Sequence, residues 1–417
     1  MKNRKSFSAF LVAALAAFCV PASGGEKLPV TDVAPGWEVS VEALPPLVVE
    51  GTNPPQGVAG AFIRHNGQGK LAVAGGALFP EKGPADGGKK KFYDTIWILE
   101  KGADAWKVDK GKLPEPAAYG VACGDYFFGG ENETGKVKSR IWEGSIAPWI
   151  IPEDALVDPA PESRTEKFPG TIDNAAAFGT AFGKEYVAGG NFNGVPSNKA
   201  FRLVCESVPY GENEPRPFPW FTGYRNYTWK PLPDFPGAPR VQPVAALVAT
   251  PRGDAFALVG GFYFDKATKT ATLDRSGVIY YPRENKWETL PPLPESVSEA
   301  GLVGSCAVED GEGGMLIFGG VNAKIFKDAL ENPAPDYLRH EPAWYKFNAD
   351  VLRLSFDADG NAKWEKLATV PATARAGASA VRGGDYSIYF VCGELKPGFR
   401  SPDCCRIKIR RAAGDRR

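Results

Sequence analysis

The chain has 417 residues, in which 49 Lys plus Arg balance 49 Asp plus Glu, and it carries only two histidines. A formal charge of zero, with no basic face and no acidic tail, excludes nucleic acid as the expected partner. His65 and His340 are too few for a copper centre, and the 25 Phe, 14 Tyr and 10 Trp suit stacked sheets and can also line a sugar site.

Residues 1–22 read as an export signal: Lys2, Arg4 and Lys5 are the basic start, Phe10 to Val20 the apolar stretch, and Val20-Pro21-Ala22 the small-residue cleavage site. The apolar run is too short for a mature membrane anchor, and bulky Phe18 before Cys19 speaks against a lipoprotein. No other apolar run reaches transmembrane length, so the expectation is one soluble domain over 23–417, periplasmic or secreted, with no membrane anchor. Cys123, Cys205, Cys306, Cys392, Cys404 and Cys405 remain, without the spacing of a disulfide framework or of metal ligands, so mostly buried and unpaired strand thiols are expected.

A repeat then organises the rest of the chain. Gly75-Gly76, Gly129-Gly130, Gly189-Gly190, Gly260-Gly261, Gly319-Gly320 and the degenerate Cys392-Gly393 have first members 54, 60, 71, 59 and 73 residues apart. Kelch blades repeat at about 50 residues, and inserted loops lengthen that period. Each doublet follows a small-residue run (Gly57 to Ala61, Ala117 to Ala122, Ala175 to Gly179, Val244 to Leu247, Ala300 to Gly304, Ala376 to Ala380) and a bulkier segment such as Tyr126-Phe127-Phe128. The small runs are expected as innermost strands crowded around an axis. Third strands are expected at Thr95 to Leu99, Gly277 to Tyr281 and Asp350 to Leu354; fourth strands open with Trp and run to a Pro turn, as in Trp287 to Pro291. After Gly393 only one further strand follows, near Cys404 to Ile409, and the missing Trp-to-Pro strand stands at the other end, as Trp37 to Val41 before Pro45. The pattern predicts an all-β fold, a six-bladed Kelch-type β-propeller whose N-terminal strand closes the last blade. Two separate β-sandwiches would leave the six-fold pattern unexplained.

Long loops interrupt the array at Pro80 to Lys91, Pro152 to Phe168, Glu206 to Asn226 and Ala323 to Asn348, the last with a short helix expected at Lys324 to Leu330. Small ligands bind a propeller where loops from several blades meet at the channel mouth. Candidate residues therefore lie just before inner strands or just after second strands: Glu394, Lys396 and Arg400; Arg240 and Gln242; Asn322; and Tyr119. Singly, each has a plain role open to it: Glu394 as a turn carboxylate paired with Lys396 or Arg400, Arg240 as a bridge between blades, Asn322 as a turn residue.

Together these segments resemble the bacterial periplasmic N-acetylneuraminate mutarotase (sialate epimerase) family. The likeness lies in Asp234 to Gln242, Gly319-Gly320-Val321-Asn322 with Ile325-Phe326, Gly393-Glu394 with Lys396-Pro397-Gly398 and Arg400, Gly57 to Gly60 with Phe62, and Ala118 to Val121 leading to Gly129-Gly130-Glu131. The order of blades differs, as in a cyclic permutation whose junction falls near Pro152 to Phe168. The resemblance implies Glu394 as proton acceptor with Arg400 assisting. Arg400 and Arg240 are then candidates to grip a substrate carboxylate, Lys396 to add charge, and Gln242, Asn322 and Tyr119 to contact the sugar; no metal or organic cofactor is required. Two departures stand out: Ala117 where the relative has Arg, and the Glu206 to Asn226 insertion, expected to reshape the mouth. The substrate implied is a sialic-acid-like sugar acid, with other 2-keto acids or an aldose left open.

Two rivals fail on residues. A sialidase would show Ser-x-Asp-x-Gly-x-Thr-Trp turns, and none is present; a copper oxidase on this scaffold lacks histidines. The alternative that stays open is a non-catalytic glycan- or protein-binding Kelch propeller, which would have no need of an acid–base pair such as Glu394 and Arg400.

Overall fold

The Gly-Gly doublets mark a backbone geometry that side chains resist. The computed structural model describes residues 25–123, 126–137, 163–165, 168–179, 185–214, 216, 222–384 and 386–412, so the expected export signal and most of Pro152 to Phe168 lie outside the described residues. Every glycine of the five true doublets has positive φ, from 65° at Gly319 to 97° at Gly130; in the degenerate pair Cys392 takes 52° and Gly393 95°. The first glycine of a doublet also packs on a carbonyl of the next unit: a Cβ at Gly260 would stand 2.1 Å from Leu302 O, and one at Gly129 2.2 Å from Ile172 O.

The second glycine donates its N–H to that same carbonyl, unit after unit. Gly76 donates to Ala117, Gly130 to Ile172, Gly190 to Arg240, Gly261 to Leu302 and Gly320 to Arg375, at 2.7–2.8 Å. The sixth bond, 3.0 Å from Gly393 to Val58, runs from the last unit back to the first. Two residues beyond each acceptor the chain again turns left-handed, at Gly60, Tyr119, Asn174, Gln242, Gly304 and Gly377. These positions bond to one another: Gln242 N–H to Asn174 O, Asn174 to Tyr119, Tyr119 to Gly60, Gly60 to Gly377, and Gly377 to Gly304, at 2.7–3.0 Å.

The sheets carried on this framework are antiparallel and ordered as they occur in the chain. The first unit is Phe62–His65, Leu71–Ala74, Thr95–Leu99 and Lys107–Lys112. The second contributes Val121–Cys123 and Tyr126–Phe128 among the described residues. The third is Ala176–Phe178, Glu185–Ala188, Ala200–Pro209 and Gly223–Pro231, with Ser163–Thr165 added in parallel at its edge. The fourth is Val244–Thr250, Gly253–Val259, Gly277–Tyr281 and Lys286–Leu290, and the fifth Ser305–Glu309, Met315–Gly319, Asp350–Phe356 and Ala362–Thr369. The sixth is Ser379–Arg382, Ser387–Val391 and Cys404–Arg411, and its outer strand is Trp37–Leu44 from the N-terminal end, running from Trp37 opposite Arg411 to Leu44 opposite Cys404. The expected pairing of the two ends of the chain is thus present, and the class is all-β, with one α-helix (Ala323–Glu331) among the described residues.

The inner strands differ from expectation in one respect. In the first and fifth units the small-residue run precedes the strand rather than forming it: Gly57 to Ala61 makes an isolated bridge (Ala59 with Ala77) and the left-handed turn at Gly60 before the strand starts at Phe62. Smallness there serves close approach of six backbones, not strand pairing.

Apolar clusters fill the space between consecutive units. Ile63, Leu71, Val73 and Trp97 of the first pack with Val391, Cys392 and Cys404 of the sixth; Leu316, Phe318 and Val351 of the fifth pack with Ile388, Phe390, Ile407 and Val41. Such burial is the main stabilising term, at about 25 cal/mol per Å² of apolar surface. The fourth-strand tryptophans tie the outer edges: Trp106 Nε1 donates to Pro45 O, Trp287 Nε1 to Pro233 O (both 2.8 Å) and Trp364 Nε1 to Pro291 O (3.2 Å), each a carbonyl of the preceding unit. At these three tryptophans the Trp-to-Pro signature is this hydrogen bond. The Glu206 to Asn226 segment, expected as an irregular loop over the mouth, instead continues the third and fourth strands of its unit as a hairpin up to Pro209 opposite Gly223. It extends away from the Gly-Gly end. Six thiols, Cys123, Cys205, Cys306, Cys392, Cys404 and Cys405, are free.

Gly260→Ala is expected to cost at least about 2 kcal/mol, because strained φ and a backbone clash combine. Gly237→Ala, at φ 89° with nothing within 4 Å of the added Cβ, should cost about 1 kcal/mol from the dihedral alone. Denaturant midpoints of the two variants check the contrast.

Candidate active site

The residue after each doublet is delivered to one end of the assembly by pairing with the segment that leads into the inner strand. Ala77 bridges Ala59, Glu131 bridges Ala118, Phe262 bridges Val241, and Glu394 bridges Ala376. Two of these residues are carboxylates, and each opens a short hairpin that sets a cation opposite it: Glu394 faces Arg400, and Glu131 faces Lys136.

Glu394 keeps 24% of its side chain exposed while Arg400 keeps 2%, and Arg400 Nη1 ion-pairs with Glu394 Oε1. Arg400 also places Nε 3.4 Å from Ala77 O and Nη2 3.5 Å from the Tyr119 hydroxyl, with its guanidinium 5.4 Å from the Phe79 ring centre. Burial works against the guanidinium's charge, but Glu394 and Tyr119 outweigh it, and the group is held protonated above its ordinary range. Gln56 fixes the hairpin by accepting from Arg400 N–H (3.2 Å) and donating to Phe79 O (3.0 Å).

Tyr119 belongs to the bonded series of left-handed residues, where only a glycine at position 60 leaves room for its ring: a Cβ there would meet Tyr119 Cδ1 at 2.4 Å. The Lys90 ammonium lies 4.9 Å from the centre of the Tyr119 ring and 3.7 Å from Glu131 Oε1. Beyond Glu131 the polar network continues. Lys136 Nζ is 3.0 Å from both Glu131 Oε2 and Asp173 Oδ2, and the buried Asp173 accepts from Asn174 and Asn191 through Oδ1 at 2.8 and 2.7 Å. Burial alone would lower the Lys136 pKa, but the two carboxylates raise it overall. Gln242 Nε2 closes the arc on Asn174 Oδ1 at 3.2 Å.

A strap from the fifth unit meets this end. The helix Ala323–Glu331 leads to short 3₁₀ turns at Tyr337–Arg339 and Pro342–Tyr345. Lys396 Nζ donates to His340 O at 3.1 Å, and Arg339 reaches the first unit's loop at Asp86 Oδ1 (3.0 Å) and Ala85 O (2.9 Å). Gly398 packs against Pro84 of the same loop. Tyr337 is pushed up to about 12, first by burial and then by the charges of Tyr345 and Glu394.

The residues expected from sequence separate into two groups. Glu394, Arg400 and Tyr119 come together, and Gln242 joins them through Asn174. Arg240 is 3% exposed, with Nη1 on Gly260 O (2.8 Å) and Ser276 O (3.1 Å) and Nη2 2.6 Å from Asp274. Arg375 occupies the equivalent place in the last unit and bonds Ala372 O and Asp403 O in the same fashion. Asn322 caps the helix, accepting from Ile325 N–H at 3.2 Å, and Lys396 anchors the strap. Sequence reasoning passed over Lys90, Glu131, Lys136, Asp173 and Tyr337. Glu131 stands at the same offset from its doublet as Glu394, and comparing the repeats position by position would have found it. Lys90 and Tyr337 lie in long loops that carry no periodic signal.

The family profile described as N-acetylneuraminate epimerase matches residues 220–415. Over this half the chain resembles the N-acetylneuraminate epimerases. Proteins named N-acetylneuraminate epimerase are similar to it from Haemophilus influenzae (strain PittEE), 31% identical over 189 residues, and Yersinia enterocolitica, 30% over 190; each match covers 42% of this chain, and 46% and 45% of the relative. One from Brucella melitensis is 27% identical over 183 residues, 40% of this chain and 45% of the relative. The chain thus spans less than half the length of the epimerases it matches. A solved structure titled "Structure of YjhT" aligns with 56% of this chain and 61% of its own at 21% identity and a TM-score of 0.41. The epimerase-like half includes Glu394 and Arg400; Tyr119, Lys90 and Glu131 lie outside it.

Arg240→Met is expected to lower stability by about 2 kcal/mol, since it removes the guanidinium from Gly260 O, Ser276 O and Asp274 Oδ2. Binding of a ligand at the Glu394 end should change by less than about twofold, because the lost bonds are internal to the fourth unit. Unfolding midpoints and a sugar titration measure the two effects.

Proposed function

We propose that this chain is an exported sugar-acid mutarotase, a closed six-bladed Kelch-type β-propeller that interconverts the α and β anomers of N-acetylneuraminate or a related 2-keto sugar acid. The observation that carries the reading is the Glu394–Arg400 hairpin, a partly exposed carboxylate held by a buried guanidinium within an epimerase-like half. The closed propeller is supported by the hydrogen bond from Gly393 to Val58 and by the N-terminal strand paired into the last sheet. A cyclically permuted blade order is supported by a match confined to 220–415, because a collinear comparison of permuted chains aligns one part at a time. Export rests on the basic and apolar pattern of residues 1–22.

Mutarotation moves two protons and one bond. Glu394 takes the proton from the anomeric hydroxyl as the bond from the anomeric carbon to the ring oxygen breaks, and that oxygen takes the electron pair and a proton. The Tyr119 phenol, beside Arg400, gives that proton, with the guanidinium balancing the phenolate left behind. The open-chain ketone rotates, and the reverse transfers reclose the ring on its other face. A positioned acid or base contributes about 10² to 10⁴-fold to such a step.

Freshly dissolved crystalline N-acetylneuraminate, followed by proton NMR, tests the reading. The protein should accelerate anomer equilibration, and Glu394→Gln should remove at least about 100-fold of the rate while the fold persists. A protein that binds the sugar without speeding equilibration would be a glycan-binding module instead.

A further inference from the structure

In a 2-keto sugar acid the carboxylate is attached to the carbon that bears the anomeric hydroxyl. On the function proposed above, that carboxylate arrives within a few ångströms of Glu394, whose charge is already matched by Arg400, so the substrate's own charge is left unbalanced in a partly desolvated site. A cation with donors to spare is therefore required beside the base. The arginines do not supply it. Arg400 is closed in by Glu394, Ala77 O, Tyr119 and the Phe79 ring, and Arg240 by Gly260 O, Ser276 and Asp274. Lys396 serves as the anchor of the strap, with one donor on His340 O, and Lys136 lies between two carboxylates.

We propose that Lys90 binds the substrate carboxylate and sets the preference of the site for acidic sugars. Its side chain is 32% exposed, and its ammonium lies over the Tyr119 ring at 4.9 Å and 5.7 Å from the centre of the Phe92 ring. Glu131 at 3.7 Å is beyond hydrogen-bond length, so it orients the ammonium without occupying its donors. An ammonium has three donors and can face Glu131 and a ligand together.

The position of Lys90 is fixed from two sides. Lys91–Phe92 pairs with Ala77–Leu78 in its own unit, and Phe92 N–H donates to Glu133 Oε1 of the next unit at 2.8 Å. Tyr119 then relates the cation to the base: one side of the phenol carries Lys90, and its hydroxyl reaches the guanidinium that holds Glu394. The second-unit hairpin, with Glu131 opposite Lys136 as Glu394 stands opposite Arg400, thus orients the cation while its counterpart carries the base. Lys90 lies outside residues 220–415, so the family match by itself gives it no role.

The test uses the full chain as wild type, Lys90→Met and Lys90→Arg, each titrated with N-acetylneuraminate and with its neutral methyl ester, alongside the anomer-equilibration assay. Wild type should bind the acid about tenfold or more tighter than the ester, the scale of a charge-assisted contact. Lys90→Met should bring the acid down to the ester's affinity and raise KM about tenfold, with a smaller change in kcat, and Lys90→Arg should keep the preference. A Lys90→Met protein that still prefers the acid as wild type does overturns the assignment while the mutarotase reading stands. A wild type that neither binds N-acetylneuraminate nor equilibrates its anomers overturns the mutarotase reading and the assignment with it.

Discussion

The hydrogen bond from each doublet's second glycine to a carbonyl of the next unit is the contact on which the assembly rests. In the five true doublets both residues take positive φ and the first has no side chain to strike the acceptor carbonyl, while at Cys392-Gly393 the bond is longer, at 3.0 Å. The bond repeats six times, so the spacing between units is set by the backbone, and the apolar clusters between sheets form to fit it. The outer tryptophan-to-proline bonds repeat the same logic with side chains, fixing the splay of the sheets at their far edges.

Function follows from what the second left-handed turn leaves free. The series Gln242, Asn174, Tyr119, Gly60, Gly377 and Gly304 is linked by five main-chain hydrogen bonds, so its side chains are not needed to hold it. Three of the six positions are glycine, and the others supply a phenol and two amides to one end. Hairpins after the doublets add charge at the same level. The repeat thereby converts one backbone position into a place where each unit can present a different chemical group.

The electrostatics at this end are arranged in pairs. Arg400 is nearly inaccessible and opposes a carboxylate that is not, so the carboxylate has a fixed partner on one side and an open face on the other. Asp173 is its inverse, a buried carboxylate surrounded by Lys136, Asn174 and Asn191. Removing one member of such a pair costs more than the pair contributes, because the remaining charge stays buried. Arg240 and Arg375 illustrate the other use of the same chemistry, as rigid ties to carbonyls within their own units.

Much of this was legible along the chain. The doublets, the Trp-to-Pro segments and the orphaned N-terminal strand are local signals, because positive φ and strand periodicity act on consecutive residues, and they located the sheets and the pairing of Trp37–Leu44 with Cys404–Arg411. Glu394 and Arg400 were visible for the same reason, being six residues apart on one hairpin. Tertiary structure decided what long-range packing controls. It showed Arg240 and Asn322 bonded within the scaffold, turned the Glu206 to Asn226 segment into a hairpin at the far end, and brought Lys90, Tyr119 and Glu131 together from two units. An arginine has the same letters whether its donors meet a ligand or a carbonyl, and which of these it meets depends on residues twenty to several hundred positions away. Residue type along the chain sets the local backbone; the partners of each charge are set by the packing that brings distant units into contact.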